Sequence, residues 1–350
     1  MSWIVALLVL SFMIFIHELG HYAAARFFGV YVEVFSIGFG KKLASFRWLD
    51  TRWQISAIPL GGYVQMKGQD DLDPGASSRD KDSYNTKKPW QRIIILLAGP
   101  ASNFALAWVF FFAIGLGGPK TLSPVIGNVL AESPADAAGL KKGDSVLSIN
   151  GQTITTWNEL SKIVKTTTDS LTLQVERDGV VRFITVTPKI TESKNIFRET
   201  IYQPMVGVSP AGVTHTMALG ITGSFAYACE ETYESSLMIF QSVQKLITGI
   251  IPAQEIGGVV SIVTITADAT ANGWMSLLFF AALISVNLGV LNLLPIPALD
   301  GGHVMFNLYE LVRRKAPSEA VVMQLTIGGW VILLGLMSLG LYNDITRLMQ

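Results

Sequence analysis

Four stretches of the chain are almost wholly apolar and approach the roughly 20 residues needed to cross a bilayer. They cover about residues 3–25, 93–116, 274–294 and 327–341. The second is interrupted by Gly99-Pro100. The fourth is short, but Trp330 and Tyr342 are suited to anchor it at the interfaces. Residues 31–39 and 53–64 instead alternate aromatic or β-branched side chains with polar ones, punctuated by Gly38, Gly40, Gly61 and Gly62. That pattern predicts short strands joined by tight turns. Strands at membrane depth must pair or line a cavity, because bare backbone is not tolerated in lipid. Residues 70–82 are polar, contain Pro and Gly, and read as a surface loop.

From about residue 122 to 189 the pattern becomes that of a small soluble domain. Strand-like runs occur at 125–129, 145–149, 171–177 and 181–187, the last two joined by the hairpin dipeptide Asp178-Gly179. Helical spacing marks 157–164, and 133–140 forms a short helix ending at a Gly. Farther on, Leu237, Phe240, Val243, Leu246, Ile247 and Ile250 recur with helical period. They predict an amphipathic helix lying on a membrane surface or against the soluble domain.

Composition sharpens this picture. Half of the 350 residues are hydrophobic and the formal net charge is zero, so nothing points to nucleic acid. The single cysteine, Cys229, excludes an internal disulfide and a Cys-rich structural zinc site. Lys41, Lys42, Arg47, Arg52, Lys67, Lys87, Lys88 and Arg92 follow the first span, and Arg313-Arg314-Lys315 lies between the last two. The positive-inside rule places both loops in the cytoplasm, with the termini and the 122–189 domain opposite. The first span has no basic residue before it and no small-residue cleavage site before its histidines, so it reads as retained rather than as a signal peptide.

Within that first span stands His17-Glu18-Leu19-Gly20-His21. Residues four apart share a helix face, so both imidazoles can grip one metal ion, with Glu18 beside it as general base. Ionisable groups at membrane depth cost several kcal/mol and persist mainly where they function. A catalytic zinc needs a third protein ligand and an open position. Asp300 is the outstanding candidate, following Asn292-Leu293-Leu294-Pro295-Ile296-Pro297-Ala298-Leu299; His303 is its rival. Pro295 and Pro297 break the helix and predict an extended segment able to bind a peptide by strand-like hydrogen bonds. The plainer reading is a helix end with Asp300 as a solvated turn residue.

These residues resemble the site-2 protease family of intramembrane zinc metalloproteases, and the order of parts resembles the bacterial regulator of sigma-E protease group. Ala98-Gly99-Pro100-Ala101-Ser102-Asn103-Phe104 is similar to that group's second-span signature, and residues 35–64 to its membrane-reentrant β-loop. Ser133-Pro134-Ala135, Ala138-Gly139-Leu140-Lys141-Lys142-Gly143-Asp144 and Ile149-Asn150-Gly151 resemble a circularly permuted bacterial PDZ domain. The resemblance implies a multi-pass α-helical membrane protein of about four transmembrane helices, with a membrane-reentrant β-loop and one inserted α+β PDZ domain. Residues 1–118 form an N-terminal membrane part, 119–192 the PDZ domain, 193–272 a linker with the amphipathic helix, and 273–350 a C-terminal membrane part.

It further implies Zn2+ held by His17, His21 and Asp300, Glu18 as catalytic base, and Asn287, Asn292, Pro295 and Pro297 as substrate-binding residues. The implied partners are single-span membrane proteins such as anti-sigma factors and remnant signal peptides, the lipid bilayer, and a C-terminal peptide bound by the PDZ domain. The implied location is the bacterial inner membrane, with the PDZ domain extracytoplasmic and the active site facing the cytoplasm. One departure stands out: the best-known members carry two PDZ domains, and this chain has room for one. The competing class is a non-catalytic, metal-binding membrane scaffold with a PDZ domain, which has no need of Glu18. A protease trimming prenylated or soluble peptides fits the extracytoplasmic domain less well.

Overall fold

The computed structural model describes residues 2–69 and 78–349, so most of the expected loop at 70–82 lies outside the described residues. Along the chain, α1 (Ser2–Phe27) leads into a long hairpin of β1 (Val32–Trp48) and β2 (Thr51–Met66), followed by α2 (Pro89–Gly117). Next come β3 (Lys120–Leu122), β4 (Ile126–Val129), α3 (Pro134–Ala137), β5 (Ser145–Ile149), β6 (Gln152–Thr153), α4 (Trp157–Thr166), β7 (Leu171–Arg177) and β8 (Val180–Val186). Four further strands follow, β9 (Lys189–Lys194), β10 (Thr200–Met205), β11 (Val208–Pro210) and β12 (Thr214–Thr216). The chain ends with α5 (Gly220–Ile247), α6 (Val259–Ala271), α7 (Trp274–Asn292), α8 (Asp300–Arg313) and α9 (Glu319–Leu348). It divides into two compact units, one of residues 1–115 with 221–350 and one of residues 116–220.

The first unit is helical apart from the hairpin. Helices α1, α2, α7 and α9 are long and apolar enough to span a bilayer, as the four apolar stretches predict. Two outrun the expectation. Helix α2 continues through Pro100, and α9 starts at Glu319 although its apolar run begins near residue 327. The extra turns of α9 are capped by Ser318, whose Oγ accepts the Val321 amide. Large apolar side chains of α9, among them Val331, Leu334 and Met337, stay exposed, the surface that lipid covers. Helices α2, α5 and α7 share a core built on Phe111, Ala228 and Val286. Met13 of α1 is buried with Ala281 and Ile284 of α7, beside Ile262 of α6.

The amphipathic pattern at 237–250 belongs to a longer helix, α5, that starts at Gly220. Helix α6, which no clear periodicity announces, is tied to the end of α9. Asp344 accepts the backbone amides of Gly258, Val260 and Ser261 and the Ser261 hydroxyl, so a carboxylate caps the first turn of α6. Asn343 donates to the carbonyls of Ala253 and Ile256 just before it.

The hairpin curls back on itself. Val34, Phe35 and Ile37 of β1 pair with Gln65, Val64 and Gly62 on one side and with Arg52, Trp53 and Ile55 on the other. Its base packs against the last half of α1 through Tyr22, Ala25 and Phe35, with Phe35 stacked on Trp53 at 4.3 Å.

In the second unit β6-β5-β7-β8 form a four-stranded antiparallel sheet over a core that includes Val146, Ile149, Leu171 and Val175, closed by Leu160 and Val164 of α4. Thr156 and Glu159 cap α4 reciprocally. Strands β11 and β12 return to pair with β4 and β3, and β9–β10 form a separate hairpin. Burial alone would raise the Asp144 carboxyl, but hydrogen bonds from Arg177 and the Lys141 amide hold it below the usual carboxylate range.

Candidate metal centre

The two imidazoles share one face of α1, as residues four apart must. Both are buried, and their Nε2 atoms lie 3.1 Å apart. The Asp300 carboxylate arrives from the first turn of α8, its Oδ2 3.2 Å from Nε2 of His17 and 3.4 Å from Nε2 of His21. Among the described residues this is the one His/Cys/Asp/Glu group compact enough to hold a metal ion.

Small residues allow this convergence. A Cβ on Gly20 would overlap the Ala98 carbonyl, so α1 and α2 cross in contact at that point. A Cβ on Gly99 would run into the His21 ring itself. Cβ atoms on Gly301 and Gly302 would strike the carbonyls of Leu293, Leu294 and Ile296. The first turn of α8 therefore sits directly on the segment that ends α7, which fixes where Asp300 points.

That segment corrects one expectation. Pro295 and Pro297 do end the helix, but the chain between α7 and α8 is wound into turns rather than extended. The Ile296 amide bonds the Leu294 carbonyl at 2.7 Å, and the Leu299 amide bonds the Ile296 carbonyl at 2.8 Å. The close seating of Gly301 and Gly302 on these carbonyls leaves no room for an extended path.

The remaining candidates fall at different distances from the three side chains. Asn292, the last residue of α7, places its amide nitrogen 3.4 Å from Nε2 of His17. Glu18 is half-buried, and its Cγ faces the backbone of Gly62 in β2, which brings the hairpin to the site. Asn287 lies five residues before Asn292 on α7 and is half-buried; Pro295 is exposed and Pro297 half-buried. His303 is outside the cluster, its ring edge-on to Phe306 at 5.9 Å.

The donor set fits zinc. Around a zinc ion with ligands at 2.0–2.1 Å, the edge of the coordination tetrahedron is about 3.3 Å. The three spacings above bracket that value. Nδ1 of His21 lies 2.9 Å from the Ile95 carbonyl, which can only accept. The proton of that ring therefore sits on Nδ1 and its Nε2 lone pair points into the cluster. Oδ2 of Asp300 is buried without a hydrogen-bond donor among the described residues. An ion lying between these atoms would satisfy all three at once.

The sequence alone does not reveal the part played by α2. Ile95, Gly99 and Asn103 all touch the imidazoles, and they lie more than seventy residues from them in the chain. A buried Asn one turn beyond Gly-Pro, inside an otherwise apolar helix, is the signal that could have marked it. Gly99→Ala should cost the site its zinc without changing a ligand, because the new methyl takes the space of the His21 ring. Metal analysis of the purified variant checks this; near-stoichiometric zinc would refute it.

The profile of peptidase family M50 matches residues 5–336. A Campylobacter jejuni protein named as a zinc metalloprotease is 44% identical over 347 residues, covering 99% of this chain and 94% of that protein. A Helicobacter pylori protein of the same designation is 40% identical over 354 residues, covering 99% and 100%. One from Clostridium acetobutylicum is 32% identical over 343 residues, covering 98% and 96%.

Proposed function

The chain belongs to peptidase family M50, the site-2 protease family, and from that premise we propose that it hydrolyses peptide bonds at membrane depth as a zinc metalloprotease. The observation that carries this reading is the meeting of His17, His21 and Asp300, two residues from a spanning helix and one from the far end of the chain. In this reading those three hold the zinc. Bound there, the ion supplies Lewis acidity, which acidifies a water molecule and polarises a carbonyl.

The chain's own groups do the rest. Glu18 takes the proton of the attacking water on its carboxylate and delivers it to the leaving amine nitrogen. The hydrogen bond that His21 donates to the Ile95 carbonyl keeps its ring in one tautomer and one orientation. Asn292, Pro295 and Pro297 hold the substrate beside the site in this reading, and Asn287 of α7 assists in handling it. The amide of Asn292 beside His17 supports its assignment.

In this reading the substrate is a membrane segment, supported by the place of both imidazoles on the apolar helix α1, and a helical segment shields its peptide bonds until it unwinds. The curled hairpin is a membrane-reentrant loop in this reading, supported by the exposed Phe39, Phe46, Trp48 and Ile58 along it. Its paired strands satisfy their own backbone, as lipid requires. Residues 119–192, within the second unit, form a PDZ domain that binds a substrate C-terminus or excludes bulky substrates in this reading. The substrates are single-span proteins of the anti-sigma-factor and remnant-signal-peptide kind. The protein lies in the bacterial inner membrane, with the PDZ domain outside the cytoplasm and the active site toward it. Basic residues such as Lys41, Arg52 and Lys87 in the first loop support that orientation.

The test is cleavage of single-span peptides by the purified protein in detergent. Cuts should fall inside the apolar segment, cease with a zinc chelator, and return when zinc is restored. Chelator-resistant cleavage, or none with zinc present, would overturn the reading.

A further inference from the structure

We infer that Asn103 is the positioning residue for His17, its carboxamide oxygen accepting the Nδ1 proton of that ring so that the Nε2 lone pair is free for the metal. This rests on the metal site of the preceding subsection and adds a residue to it. Asn103 lies on α2 one turn after Gly99-Pro100 and is fully buried. Its side chain reaches Nδ1 of His17, with 3.3 Å between that atom and Nδ2. Its backbone carbonyl accepts the Ser285 hydroxyl at 2.8 Å, which pins this turn of α2 to α7.

The two imidazoles are thus held from behind by the same helix but by different chemistry. Ile95 offers His21 a carbonyl, which admits one tautomer. Asn103 offers His17 a carboxamide, which serves either tautomer, because a half-turn of the amide exchanges its oxygen and nitrogen. With Nδ2 toward the ring, the His17 proton must sit on Nε2, and that nitrogen has no lone pair for a cation. The same orientation leaves Oδ1 of Asn103 buried with no donor among the described residues. Turning the amide gives Oδ1 the Nδ1 proton of His17 and frees Nε2 toward His21 and Asp300. Ligating histidines commonly carry such a partner, and its removal costs metal affinity.

The experiment measures zinc affinity of the full-length protein in detergent by chelator competition, for the native chain, Asn103→Leu and Asn103→Asp. Leu keeps the approximate shape and removes the acceptor; Asp keeps an acceptor and loses the amide donor. Asn103→Leu should bind zinc about ten- to a hundred-fold more weakly, while Asn103→Asp stays within about threefold of native. A second measurement needs no variant. In the zinc-loaded native protein with 15N-labelled histidine, the proton of His17 should be found on Nδ1 and exchange slowly with water. Native-like affinity in Asn103→Leu, or a His17 ring without an Nδ1 proton, overturns the inference alone. A native chain that holds no zinc overturns the metal site and this inference with it.

Discussion

Replacing Glu18 by Gln should slow cleavage by orders of magnitude and leave the zinc in place. The amide keeps the size of the carboxylate and can still hydrogen-bond, but it cannot take a proton from water at neutral pH. General-base catalysis of this kind is worth about 10²- to 10⁴-fold, so turnover should fall by that factor. Glu18 is not one of the three clustered donors, so metal content should stay at the native level. The pairing of the two readouts separates chemistry from assembly. Cleavage at the native rate would remove Glu18 from the mechanism. Loss of zinc together with activity would show that its role is structural. In cells, the same variant should let shortened single-span membrane proteins accumulate, which a comparison of membrane proteomes would detect.

Asp300→Ala should have the opposite signature, losing the metal first. Two imidazoles alone leave a divalent cation short of the three protein ligands a catalytic zinc site uses, and short of the negative charge that offsets its own. The variant should show no measurable peptide hydrolysis and substoichiometric zinc after dialysis. Its fold should survive, because α8 is seated through Gly301 and Gly302, and Glu310 on the same helix pairs with Arg92 of α2 at 2.7 Å. Helical circular dichroism and a single monodisperse elution peak check that. Full zinc occupancy in Asp300→Ala would transfer the third ligand to another group.

Much of this was legible in the sequence because it rests on local periodicity. The i, i+4 spacing of His17 and His21 needs only that α1 be a helix, which its run of apolar residues ensures. Asp178-Gly179 marks the β7–β8 hairpin with a turn dipeptide, and Asp178 does adopt a positive φ of 54°. What stayed hidden depends on pairings across long separations. Nothing near residue 99 states that a Cβ there would collide with an imidazole near residue 21. The turns between α7 and α8 follow from the seating of Gly301 on Leu293, although two prolines favour an extended path when taken alone. Helix α6 is capped by Asp344, a residue more than eighty positions away, so its start carries no local signal. Strands β11 and β12 have three residues each and gain definition from β4 and β3, the partners they meet, rather than from alternation.

The split origin of the proposed ligand set has a biosynthetic consequence. Roughly 280 residues separate the histidines of α1 from Asp300. At about 5–20 residues per second, a ribosome needs roughly 15–60 s to bridge that interval. Throughout it, the nascent chain already carries the HExxH helix while lacking the carboxylate that finishes the cation cage. With that proposed set, hydrolytic competence comes only with the last seventh of the polypeptide, and a product truncated before residue 300 lacks the third donor.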